Sequence, residues 1–152
     1  MQKPLTASVE VGTEFSGPPR KLSVARVLAF SGGPIDAPDW PAKNLHTDHA
    51  KAVDAGLPRR IASGLQFEGH LVELLYELFG QSWLRSGSLQ VRYPRPVVID
   101  DIVQAVVRVT EVEPLGSEVR ISLDARCSRA DGEKVLVGVA HCLLPSPNEI
   151  AP

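Results

Sequence analysis

The sequence is poor in features that would commit it to several common classes of protein. Only two cysteines, Cys127 and Cys142, stand among its 152 residues, and they share no CxxC spacing. Neither a disulfide framework nor a cysteine-based zinc site is therefore expected. Both lie in segments that alternate like strands, where a thiol behaves as a small hydrophobe and stays reduced. A basic excess is missing as well: 16 Lys+Arg face 18 Asp+Glu, for a formal charge of −2. That balance removes the electrostatic drive for nonspecific binding to nucleic acid or to an anionic membrane. No apolar run approaches the ~20 residues that span a bilayer. Met1-Gln2-Lys3-Pro4 leads into no apolar signal core. These absences predict a soluble, unexported, cytoplasmic protein whose partners are small molecules or other proteins. The length suits one hydrophobic core, so residues 1–152 are expected to form a single domain.

What is present reads as helices followed by strands. Residues 6–15 place Val9 and Val11 at period two before Gly17-Pro18-Pro19, which predicts a short edge strand. Leu22, Val24, Val27, Leu28 and Phe30 predict a short helix that Ser31-Gly32-Gly33-Pro34 ends. Pro34, Pro38 and Pro41 keep residues 32–43 irregular, and a loop of that length in a compact domain is often functional. A second short helix is signalled by Thr47 as N-cap, Asp48 in the first turn and Gly56 then Pro58 as the stop.

The third helix is the clearest element. Ser63-Gly64-Leu65-Gln66 predicts a capping box that opens a helix over residues 64–79, before Gly80. At roughly 100° per residue its apolar side chains cover most of the circumference, leaving Gln66, His70, Glu73 and Glu77 as a polar stripe. A helix of this kind needs protein on most sides, such as a curved sheet wrapped around it. Strands are then predicted over residues 87–93, 102–112, 118–127 and 134–144, with Asp131-Gly132 as a hairpin turn and Asp100 and Asp101 shaping another. Residues 145–152 read as a loose tail. Helices first and strands after indicate an α+β domain with an antiparallel sheet.

Several segments in this order carry a resemblance. Asn44-Leu45-His46-Thr47-Asp48, Gly56-Leu57-Pro58, Ile61-Ala62-Ser63-Gly64 and Arg95-Pro96-Val97-Val98-Ile99-Asp100-Asp101 together resemble the pattern of the MaoC-like dehydratases and (R)-specific enoyl-CoA hydratases. The resemblance implies a hot-dog fold, in which an antiparallel sheet wraps the long helix, and a homodimer or higher homo-oligomer with active sites near the interface. It also implies a hydratase or dehydratase acting on the α,β-double bond of an acyl thioester. Coenzyme A or an acyl carrier would be part of the substrate, with no separate cofactor and no metal. In that family an Asp and a His handle the water and the proton, and His46 stands where the His would be. An imidazole near its ordinary pKa both takes and gives a proton. The amide of Gly64, at the helix start with no Cβ beside it, is the matched candidate to polarise the thioester carbonyl.

The match is incomplete at the acid. Five positions before His46 stands Pro41, and aligning Ser31-Gly32-Gly33 with the family Ser-Gly-Asp puts Gly33 at the acid's place. Asp36 and Asp39 in the intervening loop are candidate replacements, and Asn44 is a candidate to orient a water. Ser63 departs too, since many relatives carry His just before the Gly. Glu68 is a further candidate, because on the helical wheel it points about 180° from the polar stripe, into the apolar face. Related hot-dog thioesterases carry an acid on this helix, so Glu68 opens an alternative reading as a thioesterase. A third reading is a noncatalytic subunit that binds acyl thioesters or supports a partner. His49, His70 and His141 gather no metal-ligand spacing and read as surface or packing residues. Arg59, Arg60, Arg92 and Arg95 read as ordinary exposed arginines.

Overall fold

The structure is a computed structural model that describes residues 4–146. Its elements run β1 (Glu14–Ser16), β2 (Arg20–Lys21), α1 (Val24–Ser31), α2 (His49–Asp54), α3 (Gly64–Phe79), α4 (Gln81–Ser86), β3 (Ser88–Arg92), β4 (Ile102–Leu115), β5 (Glu118–Arg129) and β6 (Lys134–Pro145). The six strands form one antiparallel sheet in the order β1-β4-β5-β6-β3, with β2 also on β4. The α+β expectation of an antiparallel sheet around a central helix holds.

Alternation along the long strands decides which face takes the helix. Val103, Ala105, Val107 and Val109 of β4, Val119, Ile121, Leu123, Ala125 and Cys127 of β5, and Ala140, Cys142 and Leu144 of β6 are all buried. The residues between them, such as Arg108, Arg120 and Asp124, are exposed on the other face. Against the buried face lies α3, whose Phe67, Leu71, Leu74, Leu75 and Leu78 are 0–2 % exposed. Each of these side chains contributes about 1.5–3 kcal/mol by leaving water, so α3 anchors the core. Gly138 lets β3 come close, since a Cβ there would meet the Gln90 carbonyl. Both cysteines are free and buried, as expected.

Several local expectations are corrected. The first strand is only Glu14–Ser16; residues around Val9 and Val11 instead turn, with Val9 N–H donating to Thr6 O (3.1 Å), Thr13 N–H donating to Glu10 O (3.2 Å) and Gly12 at φ +92°. The cap of α2 is Asp48, whose carboxylate accepts from Lys51 N–H (3.0 Å). Thr47 lies one residue earlier and uses its hydroxyl inside the preceding loop. Ser63 is the N-cap of α3 but makes no side-chain cap bond, and Gln66 Oε1 is buried without a partner, so the capping box does not close. The short helix α4 was not foreseen; six residues carry too little periodicity to signal it. Pro145 ends β6 and so is not part of a tail, while residues 147–152 lie outside those described. The turn at Asp131-Gly132 is present, with Gly132 at φ +86°. Asp100 also turns the chain, at φ +76°, and Asp101 Oδ2 accepts from Val98 N–H (3.1 Å).

Residues 23–60 form one excursion between β2 and α3, and both its ends are fastened to the stretch before β4. Leu22 N–H donates to Asp101 O (2.9 Å) and Asp100 N–H to Leu22 O (2.9 Å) on the way out. On the return, Ile99 N–H donates to Arg60 O (3.4 Å) and Ala62 N–H to Val97 O (2.7 Å), beside an Ile61–Val98 bridge. This seam delivers the excursion to the start of α3.

Candidate active site

His46 sits in a tight loop built by its neighbours. The Asn44 carboxamide oxygen accepts from the backbone N–H of His46 (2.8 Å) and of Thr47 (3.2 Å), while its nitrogen donates to Ser31 O (2.8 Å) and Ala42 O (3.4 Å). That side chain therefore ties the loop to the end of α1. Thr47, buried at 8 % exposure, donates its hydroxyl to Ala42 O (2.6 Å) and accepts from Asn44 N–H (3.0 Å). Arg60 donates to Thr47 O (3.2 Å) from the returning segment. The loop is thus held on three sides, and the imidazole between them is half-buried.

The ring of His46 is fixed by one contact. Its Nδ1 lies 2.9 Å from Ile61 O. A carbonyl only accepts, so Nδ1 carries the proton and, in the neutral ring, Nε2 holds the lone pair. Nε2 has no hydrogen-bond partner among the described residues. The result is an oriented base with a free acceptor nitrogen.

Three residues beyond Ile61 begins α3. The N–H groups of Gly64 and Leu65 have no acceptor among the described residues, as the first amides of a helix do not unless a cap or ligand supplies one. Ser63 does not supply it. A pocket of about 410 Å³ opens here, lined by Ile61, Gly64, Leu65, Phe67, Tyr93 and Val97 among others. It is apolar on most sides, with the unsatisfied helix start at its edge.

The wall opposite Gly64 is Tyr93. A Cβ on Gly64 would lie 2.7 Å from Tyr93 Cε1, so the ring occupies the space that glycine leaves free. The same ring meets Phe67 edge-on, with centroids 5.8 Å apart and planes at 83°. Its hydroxyl donates to Glu68 Oε2. Burial, followed by the hydrogen bond and the charge of Glu68, pushes the phenol pKa up to about 12. Behind this pair Cys127 donates to Phe67 O (3.5 Å), and burial together with the Glu68 charge pushes its thiol up to about 12. Cys127 is thereby an inert core residue and not a nucleophile.

The sequence candidates divide accordingly. Ser63 and Gly64 line the pocket, and His46 is tied to the same segment through its bond to Ile61 O. Asp36 and Asp39 are exposed, and neither makes a hydrogen bond or ion pair with His46. Asn44 has both ends of its carboxamide engaged with backbone. Glu68 is half-buried on α3 and meets Tyr93 instead of His46. Sequence reasoning missed Tyr93 and the Ile61 carbonyl. An aromatic at the end of an alternating run before Pro94 was a usable signal for the first; a backbone acceptor leaves none. Of the arginines, Arg59, Arg92 and Arg95 are exposed and Arg60 is half-buried. Among the described residues no cluster of three or more His, Cys, Asp or Glu has the geometry to hold a metal ion, and no helix is long and apolar enough to cross a membrane.

The fold recurs in solved structures. A monoamine oxidase regulatory protein from Archaeoglobus superposes with a TM-score of 0.75 at 21 % identity, over 94 % of this chain and 95 % of the other. A MaoC-like dehydratase from Rhodospirillum rubrum gives 0.75 at 17 % identity over 95 % and 99 %. An (R)-hydratase from A. caviae involved in PHA biosynthesis gives 0.70 at 24 % identity over 91 % and 98 %. No curated protein sequence matches. These likenesses establish the hot-dog fold. The family model described as "MaoC like domain" matches residues 39–125, more than half of the chain and the whole path from the His46 loop through α3 into β5. The chain belongs to the MaoC-like domain family.

Proposed function

We propose that the protein adds water to, or removes it from, the α,β-double bond of an acyl thioester. The observation that carries this reading is the His46–Ile61 bond. It leaves Nε2 as a free base and, three residues on, the same segment presents the Gly64 amide at the edge of the apolar pocket. In the hydration direction His46 takes a proton from water as the oxygen bonds to the β-carbon. The electron pair of the double bond moves toward the thioester carbonyl, where the Gly64 N–H and the positive end of α3 stabilise it. The imidazolium then returns its proton to the α-carbon, so one side chain serves both transfers and the sum is one water added. Asp36, Asp39 and Asn44 are not needed for this balance.

Coenzyme A or an acyl carrier protein would hold the acyl group, and no resident cofactor is invoked. Two buried thiols agree with a reducing compartment, so we place the protein in the cytoplasm. A homo-oligomer is part of the reading: β3 is an edge strand, and α3 carries an outward row of Leu65 (63 % exposed), Val72 (36 %) and Tyr76 (43 %) that the sheet does not cover.

The test is an assay of the purified protein with a panel of enoyl-CoA thioesters, following loss of the conjugated chromophore and release of free thiol in parallel. The expected outcome is chromophore loss without thiol release, falling by about 10²–10⁴ in His46→Ala, the usual worth of general acid–base catalysis. Thiol release that depends on Glu68 would instead make the protein a thioesterase. Binding of the thioesters with neither reaction would make it a noncatalytic subunit.

A further inference from the structure

We propose that Tyr93 is the residue that limits the length of the acyl chain, with Glu68 as the latch that holds its ring in place. This rests on the reading of the Gly64 pocket given above. Gly64 and Glu68 are four residues apart and so lie one above the other on the same face of α3. The Tyr93 ring lies along that face: its edge fills the space left by the missing Cβ of Gly64, and its hydroxyl donates to Glu68 one turn further on.

Three contacts from one helix therefore fix the ring. Gly64 gives it room, Phe67 meets it edge-on and Glu68 holds its tip. Pro94 follows directly and restricts the backbone of Tyr93 to extended conformations. Yet the residue is 42 % exposed. A side chain clamped by one helix and still exposed forms a wall of the pocket and not a part of the core.

The consequence for substrate follows from what lies around the ring. Lining the pocket with it are Ile61, Leu65 and Val97, which favour methylenes over water. At the hydroxyl end of the ring is the Glu68 carboxylate. An acyl chain whose carbonyl meets the Gly64 amide enters the pocket beside the ring, which takes up part of the room the chain could fill. Longer chains would have to displace Tyr93 and break its bond to Glu68. Glu68 is thus a positioning residue, acting through Tyr93 and not on the reacting atoms.

The experiment measures kcat/KM over a series of enoyl-CoAs of increasing length, and in parallel the binding of the matching saturated acyl-CoAs by calorimetry. The variants are Glu68→Ala, Tyr93→Leu and the double Tyr93→Ala/Glu68→Ala, each checked for folding by its thermal melt. In the double variant the preferred chain should lengthen by about two carbons, raising the ratio of long to short substrate about 15-fold, since each buried methylene is worth about fourfold. Tyr93→Leu, which preserves an apolar surface, should shift the same ratio in the same direction by a smaller factor. Glu68→Ala alone should raise it several-fold by freeing the ring, while a profile unchanged in that variant would remove Glu68 from the proposal. A length profile that keeps its wild-type shape in both Tyr93 variants, with only a uniform loss, would overturn the inference and leave the hydratase reading intact. A wild-type protein that neither hydrates nor binds any member of the series would overturn both.

Discussion

At Gly64 one missing carbon serves two purposes. It leaves an amide open at the start of α3 and gives the Tyr93 ring its place. Gly64→Ala is therefore expected to push the ring off Phe67 and narrow the pocket, costing about 1–3 kcal/mol as overpacking does. The check is a lowered melting temperature together with a fall in kcat/KM. His46 and Gly64 stood out as candidates because each belongs to a segment of the family pattern, and the fold joins those segments through the His46–Ile61 bond. Tyr93 was not, because its partners Gly64, Phe67 and Glu68 are at least 25 residues away in the chain and meet it only once β3 is in the sheet. Asp36 and Asp39 show the reverse case: proximity in sequence to His46 suggested a pairing that the loop does not make. Glu68 was read as pointing into the apolar face; it is half-buried and meets Tyr93, which helical geometry alone does not say.

Among the elements α3 was the most legible. Ser63 and Gly80 bound it as expected, since glycine at the end of an apolar run is a strong stop. Its environment was less so. All-round apolarity suggested cover on most sides, whereas the sheet covers one side and the segment near Arg20 reaches the polar stripe through an Arg20–Glu73 ion pair (2.7 Å). What stays open is the row of Leu65, Val72 and Tyr76. If that row lies in a homo-oligomer, Val72→Glu places a carboxylate in a buried contact and should shift the mass seen by sedimentation toward the 16.4 kDa chain. An unchanged oligomer, or a wild-type monomer, would remove this face from the interface. The strands were legible wherever alternation was long, as in β4 to β6. β1 was misplaced because three residues pair through β4, and not through any pattern of their own.

For the molecule as a whole, pH enters through His70. Burial first, then the nearby charges of Arg20 and Arg26, hold its pKa below the ordinary 6.5, with Glu73 opposing. The folded chain thus resists a proton that the unfolded chain accepts. Stability from this group is complete above about pH 6.5 and declines as pH falls through the lowered folded value. His70→Gln should accordingly shrink the drop in melting temperature between about pH 7 and pH 5; an identical drop in both proteins would show that other groups carry it. The antiparallel α+β plan was visible from the order of helices and strands, yet the seam that fastens the excursion was not, since it is made of backbone bonds that any sequence supplies. That seam has its own consequence. Residues 23–60 leave and re-enter the frame within the few residues from Val97 to Asp101, so the stretch bearing His46 is a cassette docked at one port. Within it Val27 is fully buried in the main core and has to be kept, but the stretch beyond α1 can change in length at little cost, since the entropy of closing a loop grows only slowly with the length inserted. Chemistry and scaffold can in this way diverge at different rates within one chain.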